Sequence, residues 1–407
     1  MTDPIQGKTI LLGVTGSIAA YKAAELASKL TQAGAQVDVI LTQSALEFVT
    51  PLTFQSVTGR KAYIDADLWG GEGHVTHIGL GRAGDLLVIA PASANTIARL
   101  AHGIADNLLS VAALAARCPL LVAPAMDAGM FGHPATQANV EILRQRGATI
   151  VGPASGHLAS GLVGVGRMVE PAEIVAHIRL ILARDGPLAG RKIVITAGGT
   201  QEPIDPVRAI TNRSSGKQGY ALVDAALASG AETVLISAPV SLPAPAGARI
   251  VNVRTAQEML DAVLVETQDA DALVMAAAVA DFRPVNPAHQ KIKKEQGLSQ
   301  ITLEPTPDIL ATLVARRVGA ESCPRVVIGF AAETQNLLEN AAVKLRAKML
   351  DLIVANDVSA ADAGFSVDTN RVTLLYPDGS REQLPLATKA EVAEAVIDRL
   401  VHMLNPT

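Results

Sequence analysis

Short apolar runs alternate with amphipathic stretches along the whole chain. In the first half, Lys8–Val14, Gln36–Leu41, Asp85–Ala90, Pro119–Ala123 and Thr149–Val151 have the length and the aliphatic content of buried strands. Between them, Ile18–Ala33, Ala94–His102, Asn107–Ala116 and Thr136–Arg146 carry helical spacing, and Pro171–Arg184 closes the series. A breaker-rich stretch, Arg184-Asp-Gly-Pro-Leu-Ala-Gly190, follows. Then the pattern restarts. Lys8-Thr-Ile-Leu-Leu-Gly-Val-Thr-Gly16 and Arg191-Lys-Ile-Val-Ile-Thr-Ala-Gly-Gly199 open the two halves alike. The second half has strand-like runs at Arg191–Ala197, Glu232–Ser237, Arg249–Asn252, Ala272–Ala276, Arg325–Phe330 and Leu352–Ala355. Val372–Tyr376 and Glu382–Leu384 read as a hairpin across Pro-Asp-Gly, and Lys389–Leu404 as a terminal amphipathic helix. Strand–helix alternation of this kind predicts parallel sheets covered on both faces. The expected fold is therefore α/β, with two doubly wound (Rossmann-like) domains at residues 1–186 and 191–407 and a linker at 187–190. Phe282–Pro307 is polar and rich in Lys and Pro; so long an insertion inside a fold predicts a functional flap.

Composition narrows the chemistry. Hydrophobic residues make up 49% of the chain and aromatics only 3%, so the cores must be built from Ala, Val, Leu and Ile. The formal charge, 34 − 39 = −5, argues against a broad surface for nucleic acid or anionic membrane, but leaves room for a local basic site for a small anion. The two cysteines, Cys118 and Cys323, each sit in a Cys-Pro pair before an apolar run, as structural thiols at strand entrances do. They make neither a disulfide framework nor a zinc pattern. With a polar Met1–Lys8 and no run of ~18 apolar residues, the expectation is a cytoplasmic protein without a signal peptide or membrane span.

Four segments of the first half carry candidate chemistry. Gly13-Val-Thr-Gly16-Ser17 lies between a strand and a helix, where it makes either a phosphate cradle or a tight turn. Its spacing is not that of a dinucleotide fingerprint. Pro91-Ala92-Ser93-Ala94-Asn95 ends a central strand; Ser93 either caps the next helix or, with its small neighbours, admits a cofactor ring. His74 and His77 fall in an irregular Gly-rich stretch, and Pro124-Ala-Met126-Asp127-Ala-Gly-Met130 ends another strand. Gly156–Met168, with Ser160 and Arg167, reads as a Gly-rich flap or a plain surface loop.

In the second half, Arg208 precedes Asn212-Arg-Ser214-Ser215-Gly216-Lys217, which opens a helix either as a phosphate site or as an ordinary cap beside a solvated lysine. Met275-Ala276-Ala277-Ala-Val-Ala-Asp281 ends a strand with small residues and one acid able to hold Mg2+. Lys291-Ile-Lys-Lys294 lies on the insertion, where a lysine is either solvated or neutralises charge developing in nucleotidyl transfer.

Taken together, these segments resemble the bifunctional phosphopantothenoylcysteine decarboxylase/phosphopantothenate–cysteine ligase family of coenzyme A synthesis. The resemblance implies a flavodoxin-like, FMN-binding decarboxylase domain with Gly16, Ser17, Thr42 and Pro91–Asn95 around FMN. It implies His77 as the active-site base, Met126, Asp127 and Met130 in the substrate motif, and Ser160 and Arg167 on the flap. Two positions depart from the family pattern: Asp127 stands where Asn is usual, and Ser160 where the complete decarboxylases have Cys. These departures are expected to impair full conversion to phosphopantetheine. For the ligase half the resemblance implies a substrate and nucleotide site of Arg208, Asn212, Ser214–Lys217, Met275–Ala277 and Asp281, with Lys291 and Asn212 catalytic and Asp281 holding Mg2+. It adds Pro307, Asp308, Ile309, Leu310, Phe330, Lys344 and Lys348 as contacts to CTP; Thr306 stands where Asn is common. The implied substrates are 4'-phosphopantothenate, cysteine and CTP, and the implied assembly is a homo-oligomer with a dimeric ligase and a trimer-based flavin domain. Two alternatives accompany this reading: an active ligase with a non-catalytic flavin scaffold, and an oxidative decarboxylase that stops at the enethiol.

Overall fold

Strands that alternate with helices and are apolar along their whole length have only one stable place, the middle of a three-layer sandwich. The computed structural model describes residues 3–69, 76–293, 300–319, 322–333, 336–357 and 369–405. Its chain divides between Leu182 and Ala183 into two compact units.

The first unit is built on β1 (Thr9–Val14), β2 (Gln36–Leu41), β3 (Ala62–Ile64), β4 (Leu86–Ala92), β5 (Leu120–Pro124) and β6 (Thr149–Ile150). They form a six-stranded, wholly parallel sheet in the order β3-β2-β1-β4-β5-β6. Its helices are α1 (Ala20–Gln32), α2 (Pro51–Thr58), α3 (Thr76–Ala83), α4 (Ala94–His102), α5 (Leu108–Ala115), α6 (Ala128–Gly132), α7 (Pro134–Gln145) and α8 (Pro171–Leu182). One sheet face packs Leu12, Val14 and Val39 against Leu26 and Leu30 of α1 and Ile178 of α8. The other packs Leu11, Ile89 and Val122 against Ile97 of α4, Leu109 of α5 and Val140 of α7. Outside the sheet, β7 (Ala154–His157) and β8 (Val163–Arg167) make an antiparallel hairpin.

The second unit runs β9 (Lys192–Ala197), a ribbon of β10 (Gln201–Pro203) and β11 (Ala209–Thr211), α9 (Lys217–Ala228), β12 (Glu232–Ser237), β13 (Arg249–Asn252), α10 (Ala256–Glu266) and β14 (Ala272–Met275). A second ribbon follows, β15 (Phe282–Pro284) with β16 (Leu303–Pro305), then α11 (Ile309–Val318), β17 (Val326–Glu333), α12 (Leu337–Ala347) and β18 (Leu352–Asp357). The chain ends with β19 (Thr369–Asn370), β20 (Val372–Leu375), β21 (Arg381–Gln383), β22 (Ala387–Thr388) and α13 (Lys389–Leu404). The main sheet has eight strands in the order β13-β12-β9-β14-β17-β18-β20-β21. It is parallel through β18, and the expected hairpin β20–β21 adds its antiparallel edge. The doubly wound architecture expected from the sequence is therefore present in each unit.

Several local expectations change. The segment 187–190 lies within the second unit: Leu188 is fully buried and its N–H donates to the Ser229 carbonyl at 2.9 Å. His77 lies not in irregular chain but in the first turn of α3; His74 lies outside the described residues. The glycines of α3 hid the helix, since glycine is a poor helix former. Packing reverses that preference: a Cβ on Gly81 would come within 2.7 Å of the Ala112 carbonyl oxygen, so only glycine lets α3 lie this close to α5. Cys118 and Cys323 are free and half-buried just ahead of β5 and β17, and burial pushes the Cys118 thiol pKa up. Among the described residues, no helix is long and apolar enough to cross a membrane.

The first turn of α9 is seated on the end of β9. A Cβ on Gly219 would meet Ala197 Cβ at 2.5 Å and the Thr196 carbonyl oxygen at 3.0 Å. Gly219→Ala gains ~1 kcal/mol of helix propensity but incurs overpacking of ~1–3 kcal/mol, at the upper end here because backbone cannot move aside. A net loss of ~1–2 kcal/mol is expected, read as a lower midpoint in calorimetry of the full chain; an unchanged midpoint would show that α9 is free to shift.

Candidate functional site

In an open doubly wound sheet a crevice opens where strand order reverses, because the loops on either side lead away from each other. In the first unit that place is between β1 and β4. Thr15, just past β1, is buried. Its Oγ1 donates to the Pro91 carbonyl at 2.7 Å and accepts the Ser93 N–H at 2.9 Å, locking the two loops together. Gly16 packs so tightly that a Cβ would lie 2.5 Å from Ser44 Cβ, and Ser17 Oγ accepts the Ala19 N–H at 3.3 Å. No side chain caps α1 at Ala19. Thr42 is buried beside Val14, Pro91 and Ala92 are buried, and Asn95 is exposed. Ser93 does cap α4, accepting the Thr96 N–H at 3.3 Å, while Ala94 stays half-buried. A glycine cradle at an uncapped helix start, next to a wall of Pro, Ala and Ser, fits a flavin mononucleotide, phosphate on the helix and ring against the small residues.

The other predicted residues of this unit gather at the carboxyl end of β5 and in the hairpin. Met126 is half-buried in the core and Met130 is 52% exposed. The hairpin leans on this segment. Met126 N–H donates to the Gly166 carbonyl at 2.9 Å, and a Cβ on Gly166 would stand 2.2 Å from the Met126 oxygen. Asp127 caps α6, its Oδ1 accepting the Gly129 N–H at 2.9 Å. Its Oδ2 accepts the Ser160 hydroxyl at 2.6 Å. Asp127 and Ser160, both singled out in the sequence, thus touch each other. The Ser160 hydroxyl, then the Gly129 N–H, hold the Asp127 carboxyl below its usual range, so it is an anion at neutral pH. Arg167 is engaged by Glu170 at 2.8 Å, an acid shared with Lys22. His77 Nδ1 is buried with no hydrogen-bond partner among the described residues, the state of a ring nitrogen that awaits one.

In the second unit, strand order reverses between β9 and β14. There the carboxyl ends of the strands surround a cavity of about 700 Å³. Asn212, Ser214, Ser215, Gly216 and Lys217 form one wall, where α9 starts at Gly216 (φ +74°) without a side-chain cap. Met275, Ala276, Ala277 and Asp281 form the floor. Thr200 Oγ1 fixes this floor by accepting the Ala280 N–H (2.9 Å), and Thr306 Oγ1 does so by donating to the Ala280 carbonyl (2.5 Å). Asn212 Nδ2 donates to the Val279 carbonyl at 2.9 Å. Opposite stand Pro307, Asp308, Ile309, Leu310, Phe330, Lys344 and Lys348. Asp308 caps α11 through the Ala311 N–H (2.9 Å) and pairs with Lys348 Nζ at 2.5 Å. Burial disfavours its charge, but the Lys348 contact and the Ala311 N–H outweigh burial and hold its pKa low. Lys344 Nζ donates to the Phe330 carbonyl at 3.2 Å.

Asn356, Asn370 and Lys389 are among the cavity residues that escaped the sequence reading. Asn356 Nδ2 contacts Asn370 Oδ1 (3.4 Å), Asn370 Nδ2 contacts Gln218 Oε1 (3.0 Å), and Gln218 Nε2 reaches the Lys389 carbonyl (3.1 Å). Asn356 Oδ1 is buried without a partner among the described residues. The available signal was a polar residue at the carboxyl end of an otherwise apolar strand. Lys291 and Arg208 are not in the lining: Lys291 is exposed, and Arg208 is engaged with the backbone of the flap at Ile292. Lys294 lies outside the described residues. With Lys217, Lys344, Lys348 and Lys389 against Asp281 and Asp308, the cavity favours an anion. Asp281 is exposed, and no cluster of three His, Cys, Asp or Glu suited to a metal occurs among the described residues.

Residues 2–182 match the family described as Flavoprotein, and residues 188–404 the DNA/pantothenate metabolism flavoprotein C-terminal domain. The coenzyme A biosynthesis bifunctional protein CoaBC of Bacillus subtilis (strain 168) is 44% identical over 406 residues, covering 99% of this chain and 99% of its own. That of Mycobacterium tuberculosis (strain ATCC 25618 / H37Rv) is 46% identical over 408 residues, covering 98% and 97%. The chain belongs to the coenzyme A biosynthesis bifunctional proteins. Among solved structures, the C-terminal domain of a CoaBC covers 54% of this chain and 98% of its own at 43% identity and TM-score 0.45. A PPC decarboxylase mutant complexed with pantothenoylaminoethenethiol covers 43% and 98% at 36% identity and TM-score 0.39.

For this member of the CoaBC family, the hydrogen bond makes Asp127 and Ser160 one unit. Ser160→Cys alone leaves the anion facing a poorer donor, and Asp127→Asn alone leaves the hydroxyl facing a neutral amide. Directly bonded groups couple by ~0.5–3 kcal/mol. In a four-variant cycle, the double substitution should therefore form phosphopantetheine at least ~5-fold faster than the product of the single effects allows, a coupling of ~1 kcal/mol. Anaerobic mixing with phosphopantothenoylcysteine, with products identified by mass, is the measurement; strict additivity would separate the two residues.

Proposed function

We propose that the second unit joins 4'-phosphopantothenate to cysteine at the expense of CTP, and that the first converts the resulting phosphopantothenoylcysteine to phosphopantetheine with FMN. The observation that carries the ligase reading is the lysine-ringed cavity of about 700 Å³ at the strand-order reversal, open at the uncapped start of α9. Such a site suits a nucleoside triphosphate and a second phosphorylated substrate together. The substrate carboxylate attacks the α-phosphorus of CTP, giving an acyl-cytidylate and pyrophosphate. The amine of cysteine then attacks the acyl carbon and CMP departs. Asn212, tied to Val279, is placed to fix the acyl group. Lys291 supplies positive charge as negative charge grows on the phosphoryl oxygens. Magnesium enters as the counter-ion of the triphosphate, with Asp281 as the one acid in the floor to meet it.

In the flavin unit, bound FMN supplies two-electron oxidation and reduction. His77 Nδ1, buried and unpaired, is the group to take the proton of the substrate thiol. Ser160 and Asp127 tie the hairpin to the start of α6. The scaffold and enethiol alternatives are not favoured, because the family carries both activities on one chain. We further propose a homo-oligomer acting in the cytoplasm, with a dimeric ligase and a trimer-based flavin unit; two free cysteines accord with a reducing compartment.

Lys291→Ala should lower kcat by ~10²–10³, the ~3–4 kcal/mol of a charge aimed at a transition state, while the KM for CTP changes little. Pyrophosphate release at steady state reads it, and an unchanged kcat would make the lysine a solvated surface group. The purified protein should be yellow, with one FMN per chain by absorbance after acid release. Folded, colourless protein that takes up no added FMN would refute the flavin reading.

A further inference from the structure

Asp205 lies in the turn between β10 and β11, and its side chain is fully buried. A turn needs one carboxylate oxygen, and here Oδ1 serves it by accepting the N–H groups of Val207 at 2.8 Å and Arg208 at 2.9 Å. The other oxygen does something else. Oδ2 accepts the N–H of Ile292, the residue after Lys291, at 3.2 Å. Arg208 pairs with the same Oδ2 at 3.1 Å, and its Nη2 donates to the Ile292 carbonyl at 2.5 Å. A third bond, Ala288 N–H to the Ile204 carbonyl at 2.9 Å, joins the same two segments. The peptide linking Lys291 to Ile292 is thus held by a carboxylate, and the next peptide by the guanidinium paired with it. Burying a carboxylate is costly unless its oxygens are bonded. The buried cost here is offset in part by a bond that the turn does not use.

We propose that Asp205 is a positioning residue for the ligase reaction: by gripping the Ile292 N–H it fixes the backbone from which Lys291 extends. This rests on the role given to Lys291 above. Lysine has a long, flexible stem, so the location of its ammonium depends on how firmly its Cα is held. A misplacement of ~1 Å costs up to ~10² in rate.

Asp205→Asn is nearly isosteric but puts an NH2 group in place of one oxygen; with the remaining oxygen kept by the two turn N–H groups, it is the flap that loses its acceptor. The test is a cycle of wild type, Asp205→Asn, Lys291→Ala and the double variant, with kcat from pyrophosphate release and hydrogen exchange of the 288–293 amides. Asp205→Asn is expected to lower kcat ~10–100-fold and to speed exchange at Ile292. Added to Lys291→Ala it should cost nothing more, because the group it positions is gone. Losses that multiply, or an Ile292 amide as protected as in wild type, would overturn the proposal. If Lys291→Ala itself leaves kcat unchanged, the lysine reading fails and this one with it. If Lys291→Ala is impaired and Asp205→Asn is not, this one fails alone. Should Asp205→Asn not fold, Asp205→Glu, which keeps the charge but displaces the carboxylate from the Ile292 N–H by one methylene, enters the same cycle with the same expected outcomes.

Discussion

A parallel sheet grows by crossover connections of one hand, and a doubly wound sheet must reverse its direction of growth once. Everything of interest in this molecule follows from where that reversal falls. At β1/β4 and at β9/β14 the loops on either side turn away from each other, and the ends of the strands are left uncovered. The residues there must be small, because a backbone that is to meet a ligand cannot carry bulky side chains. Gly16, Ala92 and Ala94 in one unit, and Gly216, Ala276 and Ala277 in the other, meet that requirement. The aromatic-poor composition belongs to the same logic. Helices resting closely on a sheet leave space for Ala and Val, and Gly219 on Ala197 is the extreme case.

Much of this was legible. The order of most strands and helices along the chain and the doubly wound class follow from period, since burial along a parallel strand imposes a local pattern, and small residues at strand ends marked part of the cavity; Pro307–Leu310, Phe330, Lys344 and Lys348 were named through the family resemblance. What escaped was non-local. The glycines of α3 conceal a helix that exists because it packs on α5. Asn356, Asn370 and Lys389 enter the cavity from three elements that no spacing rule connects. The Asp127–Ser160 contact joins residues on a helix cap and a hairpin tip, and each alone reads as a lost function. Asp205 looks like a turn residue, and the oxygen that reaches Ile292 has no signature in sequence.

Charge is the clearest case of a whole-chain average concealing a local one. The chain is acidic overall, yet four lysines face one cavity. Asp308 does not simply cancel them: one oxygen is used by its own helix and the other holds Lys348 in place. The pair orders a cation without removing it from the wall, and ordering in advance lowers the entropy that a ligand must overcome.

The amides behind the cavity have a direction. A backbone carbonyl can only accept, so the Lys389 oxygen obliges Gln218 to present its NH2 group to it. The Gln218 oxygen must then face Asn370, the Asn370 oxygen must face Asn356, and one N–H of Asn356 is engaged in turn. At the end of the row the atom left buried without a partner among the described residues is the Asn356 oxygen. The character of that point on the wall, acceptor rather than donor, is therefore decided at the start of the last helix, and no rotation of Asn356 alone can reverse it without breaking the row.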